Sequence, residues 1–197
     1  LRKAKEYYRQ ARDLEKDIQQ TSGLTPSIQM RLGDVQNAYD LFNASGGALG
    51  AQIASLNLLE ENLINNDADS ALLMLEEAFG YFKQQEIEEG MGKTLIMKSI
   101  VQRNKGDFPE AITTLEQAGE LALRPDLDWK VKFNTALTYQ ASGKIDEARS
   151  NVDVAIAIIE NQRSSINLPA FKWHYLDQKT DVYDTYISLL LSSTSVN

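Results

Sequence analysis

The stretch from Asn104 to Ala118, NKGDFPEAITTLEQA, returns in altered form from Ser142 to Ala155, SGKIDEARSNVDVA. Each copy has a glycine turn and an acidic helix start, then Ala, a bulky apolar residue four on, and a small residue three further. On a helix of 3.6 residues per turn, Ala111/Leu115/Ala118 and Ala148/Val152/Ala155 each fall on one stripe. Small residues let a neighbouring helix approach, and the large one fills the gap between them. Weaker copies occur at Ala4/Tyr8/Ala11, Ala38/Phe42/Ser45 and Ala71/Leu75/Ala78. The five anchor alanines follow one another at intervals of 33 to 40 residues. A chain that repeats such a stripe is constrained to stack helical units on one another.

The rest of the chain agrees with helices throughout. Stripe-bearing helices are expected near residues 2–20, 34–45, 67–86, 108–123 and 145–162. Partner helices are expected from about Ala48 to Asn65, after Gly90 to about Asn104, and from about Leu127 to Ala141. Thr25-Pro26 reads as an N-cap and first helical position, since Pro lacks only an N–H that would be unpaired there. Residues 25–43 could be one helix or two. A break near Gly33 keeps the two helix types alternating. Asp107 with Glu110 three residues on has the pattern of a capping box, and Pro125 marks a linker. No run alternates in the manner of a strand, so the fold class is all-α, ending in a long helix within 166–197.

Composition excludes several functions. The chain has no cysteine, which removes disulfides, thiol catalysis and Cys-held metals. Its formal charge of −8 argues against a nucleic-acid binder, which needs a basic face. Between Glu60 and Glu89 the only base is Lys83; this reads as a solvated acidic face, with docking of a basic partner as the other reading. The uncharged span from Leu41 to Leu59 contains Asn43, Gly46, Gly47, Gly50, Gln52 and Asn57, too polar to span a membrane. A cytoplasmic chain is expected. Leu1 lies inside a helical pattern with no leader visible, so the sequence reads as a fragment of something longer.

The Ala-x3-bulky-x2-small stripe at a period near 34, with turn glycines Gly106 and Gly143 and the aromatic Tyr139, resembles the tetratricopeptide repeat. The resemblance covers residues 1–165 and implies a right-handed superhelical array of helical hairpins. The repeats are degenerate, with Leu59 standing where a small residue is usual. A second resemblance covers the tail. Residues 155–163 (AIAIIENQR), Leu168-Pro169-Ala170-Phe171 and residues 181–190 (DVYDTYISLL) are similar to the junction between repeats and protease in bacterial CHAT-family, caspase-like proteins. That resemblance implies a protease lying beyond Asn197.

In such an array the first helices line the concave side, and the resemblance puts Asn57, Lys93, Ile96, Arg103, Phe133, Asn134 and Leu137 there. Asn57 and Asn134 match the position whose amide holds a peptide backbone, since an amide both donates and accepts. The family's charged clamp is missing, which implies a groove more apolar than charged, suited to a hydrophobic segment or helix. Packing against the chain's own terminal helix is the competing use. Replacing Phe133 and Asn134 by Ala is expected to weaken partner capture and leave the thermal midpoint nearly unchanged.

Other patterns lead to bland readings. Gly92-Lys93-Thr94 looks like the end of a phosphate loop but lacks the earlier glycine and the preceding strand. His174 is the only histidine and is expected to pack at the last helix. Glu60/Glu61 and Glu76/Glu77 are adjacent on helices and point about 100° apart, which suits shared acid–base work poorly. No metal, cofactor or catalytic group is expected. The function expected is a non-catalytic interaction scaffold, the sensing or regulatory region of a CHAT protease-like protein. The alternative is a free-standing receptor for a short peptide. Partners are protein or peptide segments, the downstream domain of the same chain among them, and neither nucleic acid nor membrane.

Overall fold

A computed structural model of the protein describes residues 35–44, 46–62, 68–121, 124–168, 172, 175–177 and 179–194. All regular structure among them is helical, with no strand. The helices are α1 (Val35–Ala44), α2 (Ala48–Asn62), α3 (Ala68–Gln84), α4 (Glu88–Lys105), α5 (Phe108–Gly119), α6 (Pro125–Ala141), α7 (Ile145–Ser164) and α8 (Thr180–Thr194). The first stripe, Ala4/Tyr8/Ala11, the break at Gly33 and His174 lie outside the described residues. The chain divides into two units between Ala71 and Leu72, and each is described by itself.

In the first unit α1 packs on α2. A Cβ on Gly50 would stand 2.3 Å from the Phe42 ring, so the absence of a side chain there lets α2 pass over it. Asn57 is half-buried on α2.

In the second unit α4 packs on α5 and α6 on α7, while α6 also touches both α4 and α5. Consecutive helices therefore fold back as hairpins, and the first helix of one hairpin lies on the hairpin before it. The repeated stripe makes these contacts. Ala111, Leu115, Ala118, Ala148, Val152 and Ala155 are all 0–1% exposed, and Leu75 and Ala78 on α3 are buried as well. Ser99 and Ala136, the small residues of the first helices, are fully buried beside them. Gly90 repeats the Gly50 arrangement, with an added Cβ 2.3 Å from the ring of Phe82.

Four turns share one backbone. In each, a residue with left-handed φ (Gly46, Glu86, Gly106, Gly143) follows the helix end. The next N–H reaches back five residues, Gly47 to Phe42 O, Ile87 to Phe82 O, Asp107 to Gln102 O and Lys144 to Tyr139 O, at 2.8–2.9 Å. This closes the helix end by satisfying a carbonyl that has no partner of its own. The next helix starts from the same residue, as Ala111 N–H donates to Asp107 O and Ala148 N–H to Lys144 O, both at 3.0 Å.

Two sequence expectations are corrected. Asp107 is the N-cap, but its side chain makes no capping hydrogen bond, so no capping box forms. Its backbone is committed to the turn at φ −80°, ψ 61°, away from the extended conformation that points a cap side chain at the helix N–H groups. Pro125 is the first residue of α6 rather than a linker residue, in the position where a missing N–H costs nothing.

Candidate functional site

The residues expected to line a groove separate into three kinds. Ile96 and Phe133 are core. Ile96 is packed with Leu95, Leu115, Ala118, Leu127 and Val131. Phe133, 7% exposed, belongs to a second cluster with Trp129, Ala136, Val152, Ile159, Val182 and Leu189. The ring is enclosed, so truncating Phe133 is expected to cost stability, against the expectation that replacing Phe133 and Asn134 leaves the thermal midpoint nearly unchanged. Leu137 is half-buried against that same cluster. Lys93 is half-buried on α4, and Asn57 belongs to the other unit.

Arg103 and Asn134 are brought together. The Arg103 guanidinium on α4 donates from Nη1 to Asn134 Oδ1 on α6 at 3.1 Å. Asn134 Nδ2 in turn donates to Lys130 O at 2.9 Å, which fixes the direction of the amide. Burial pushes the Arg103 pKa below its ordinary value. No described carboxylate pairs with it. The guanidinium thus keeps N–H donors for an incoming oxygen acceptor, in a fork that suits a carbonyl or carboxylate.

Beyond Leu137 the cluster is covered by the chain's own C-terminal segment, which the described residues trace through 175–177 and 179–194. Its Val182 and Leu189 are buried with Trp129 and Phe133, and Tyr175, Leu176, Tyr183 and Tyr186 pack around them. Lys179 Nζ stands 3.7 Å from the Tyr175 ring centroid and 5.4 Å from that of Trp129. Polar ties run to α7. Tyr183 Oη donates to Glu160 Oε1 at 2.6 Å, Tyr175 Oη donates to Gln162 Oε1, and Arg149 Nη2 donates to Leu189 O at 3.1 Å.

Glu160 is the hub of these ties. Hydrogen bonds from Arg163, first, and from Tyr183 hold its carboxyl below the usual carboxylate range. Burial, then the hydrogen bond to Glu160, pushes the Tyr183 phenol well above its ordinary value. Glu160, Arg163, Leu176, Asp177, Thr180 and Tyr183 line an open cleft of about 470 Å³ between α7 and the segment. Two of its charged walls are already paired, as Arg163 Nη2 lies 2.5 Å from Glu160 Oε2.

Lys179, Trp129, Tyr175 and Tyr183 are not among the residues that the sequence pattern marks as site residues. The available signal was spacing: Tyr175, Lys179 and Tyr183 recur every four residues, the interval of one helix face, although Lys179 lies in a turn and α8 starts at Thr180. Among the described residues no helix is long and apolar enough to cross a membrane, and no group of three His, Asp or Glu could hold a metal ion. Comparison of the chain with protein-family models, with curated proteins and with solved structures gives no match.

Proposed function

We propose that this chain is a non-catalytic, cytoplasmic protein-interaction scaffold, a superhelical array of tetratricopeptide-like hairpins that captures an extended segment of a partner along α4 and α6. The observation that carries the reading is the Arg103–Asn134 pair. It bridges the first helices of two hairpins, is directed by the Lys130 carbonyl, and leaves guanidinium donors beside the helix that carries Leu137 three residues after Asn134. A peptide backbone offers the matching acceptor, and an apolar side chain next to it would lie against Leu137.

Selection from a displayed peptide library tests this. The expected result is a family of related binders whose affinity falls at least about tenfold in both Arg103→Ala and Leu137→Ala, the loss of one charge-assisted hydrogen bond or one apolar contact. The thermal midpoint should move by only a few degrees. Binders that ignore both substitutions, or no enrichment at all, would remove the groove from consideration.

The wider role, a sensing or regulatory region of a CHAT protease-like protein, is supported by the resemblance of residues 155–190 to the repeat–protease junction. The reading frame past Asn197 decides it: a Cys/His protease there is expected, and a stop codon would leave the free-standing peptide receptor.

A further inference from the structure

The seam between the C-terminal segment and the last hairpin buries cations, as the α4–α6 contact does at Arg103, but here they stand against aromatic faces. Lys179 is 7% exposed, yet its ammonium makes no ion pair with a described carboxylate. Its partners are two aromatic faces and the carbonyl of Tyr175 at 3.3 Å. A second ammonium, Lys130 Nζ, lies 5.8 Å from the same Trp129 ring. Further along the seam Arg149 donates from Nη2 to Leu189 O, while its Nε is buried with no partner at all. Burying charge without a counter-charge is unfavourable, and aromatic faces compensate only in part.

We propose that residues 175–177 and 179–194 form a releasable strap over the Trp129–Phe133 face of the last hairpin, and that the buried Lys179 ammonium keeps the strap releasable. When the strap lifts, Lys179 returns to water and Trp129 and Phe133 are uncovered, which extends the apolar surface beyond Leu137. The charges facing Lys179 are Lys130 and Asp126 on α6 and Asp181 on the strap itself; Tyr175 is the neighbouring phenol, and Glu160 and Arg163 on α7 act through Tyr175 and Tyr183. Desolvation first, and Lys130 next, lower the Lys179 pKa; Asp181 and Asp126 oppose them. A base whose pKa is lowered in the docked state docks better when neutral. Docking therefore strengthens as pH rises through the docked pKa toward the ordinary lysine value. The strap rests on the proposed docking function only for what replaces it on the uncovered face.

Amide hydrogen exchange on the full chain tests the strap without any partner. Amides of residues 182–190 should exchange through an opening of their own, at least about tenfold faster than those of residues 152–159 in α7. Lys179→Met should slow the strap's exchange about fivefold to tenfold and leave α7 unchanged, and Lys179→Arg, which keeps the charge, should not. Wild-type protection of the strap, corrected for intrinsic rates, should rise as the pH climbs toward the ordinary lysine value, and that rise should vanish in Lys179→Met. Lys130→Gln, a change at a half-exposed position that does not threaten folding, should slow the strap by about twofold. Strap and α7 amides that exchange together, or a strap that opens faster or unchanged in both Lys179→Met and Lys130→Gln, would overturn the proposal. Failure of peptide capture would leave these exchange results standing.

Discussion

Between α6 and α7 the buried contact is made by Ala136, Ala148, Val152, Ala155 and Ile159, side chains with no polar atoms and few rotamers to lose. Between α7 and the C-terminal segment it is made by Val182 and Leu189 together with tyrosines and an arginine that must each find a polar partner. The same helix, α7, presents both faces. Its Ala148/Val152/Ala155 stripe specifies close approach by shape alone. Its Arg149, Glu160 and Gln162 hold the strap through directed hydrogen bonds, each of which exchanges water for protein at small net gain. The stack is thus built to stay closed, and the strap to be held lightly in one register.

The comparison breaks most visibly if the stripe is damaged. Leu115 is 1% exposed and wedged between Ala111 and Ala118 of its own helix and the α4 and α6 residues Leu95, Ile96, Leu127 and Val131. Leu115→Ala should cost about 2–5 kcal/mol, the range for a buried leucine whose cavity cannot collapse. Phe133→Ala belongs in the same class, at about 3–5 kcal/mol, because the ring is core. Urea unfolding of the full chain followed by circular dichroism would measure both. A loss below about 1 kcal/mol for Leu115→Ala would mean that the stripe does not hold the hairpins together, and one for Phe133→Ala that its ring is not core.

A change at the strap should be smaller and should carry a pH signature. Tyr183→Phe removes one hydrogen bond to a carboxylate that is more than a third exposed. The expected cost is about 1 kcal/mol, below the usual range for charged acceptors because solvent screens the site. Glu160 has a lowered pKa, so the stability it contributes is present above the ordinary carboxylate value and is lost as pH falls through its folded value. The gap between Tyr183→Phe and wild type should therefore narrow from about pH 6 to about pH 3. A gap that is constant across that range would assign the tyrosine to packing rather than to the Glu160 tie.

How far the sequence could be read follows the same division. The stripes were legible at Ala111/Leu115/Ala118 and Ala148/Val152/Ala155 because burial by shape leaves a periodic trace of small and large residues, and so were the turns at Gly106 and Gly143. Legibility failed where contacts are directed. Phe133 stands on a first helix at a position that also suits a groove, and only the strap's placement of Val182 and Leu189 in the same cluster makes it core. Lys179 reads as an ordinary surface lysine, since nothing in a linear pattern announces that Trp129, fifty residues earlier, will cover it. Arg103 and Asn134 were both named, but their pairing depends on how closely α4 and α6 approach, which small residues permit without specifying.

The turns repeat the comparison at the smallest scale, since one of the four is closed without glycine. Glu86 occupies the left-handed position at φ 56°, where Gly46, Gly106 and Gly143 stand in the other three. Its N–H still donates to Lys83 O at 3.2 Å, and Ile87 N–H still reaches Phe82 O at 2.9 Å, so the turn is complete. A residue with a Cβ is disfavoured there by about 1 kcal/mol or more, partly offset because glycine is freer in the unfolded chain. Glu86→Gly should therefore stabilise by about 0.5–1 kcal/mol, whereas Gly106→Ala at the equivalent position, φ 86°, should destabilise by about 1 kcal/mol. Opposite signs in thermal unfolding of the two variants would show that backbone conformation at this one residue decides the cost of each turn. A destabilising Glu86→Gly would instead mean that the Glu86 side chain contributes more than its backbone strain removes.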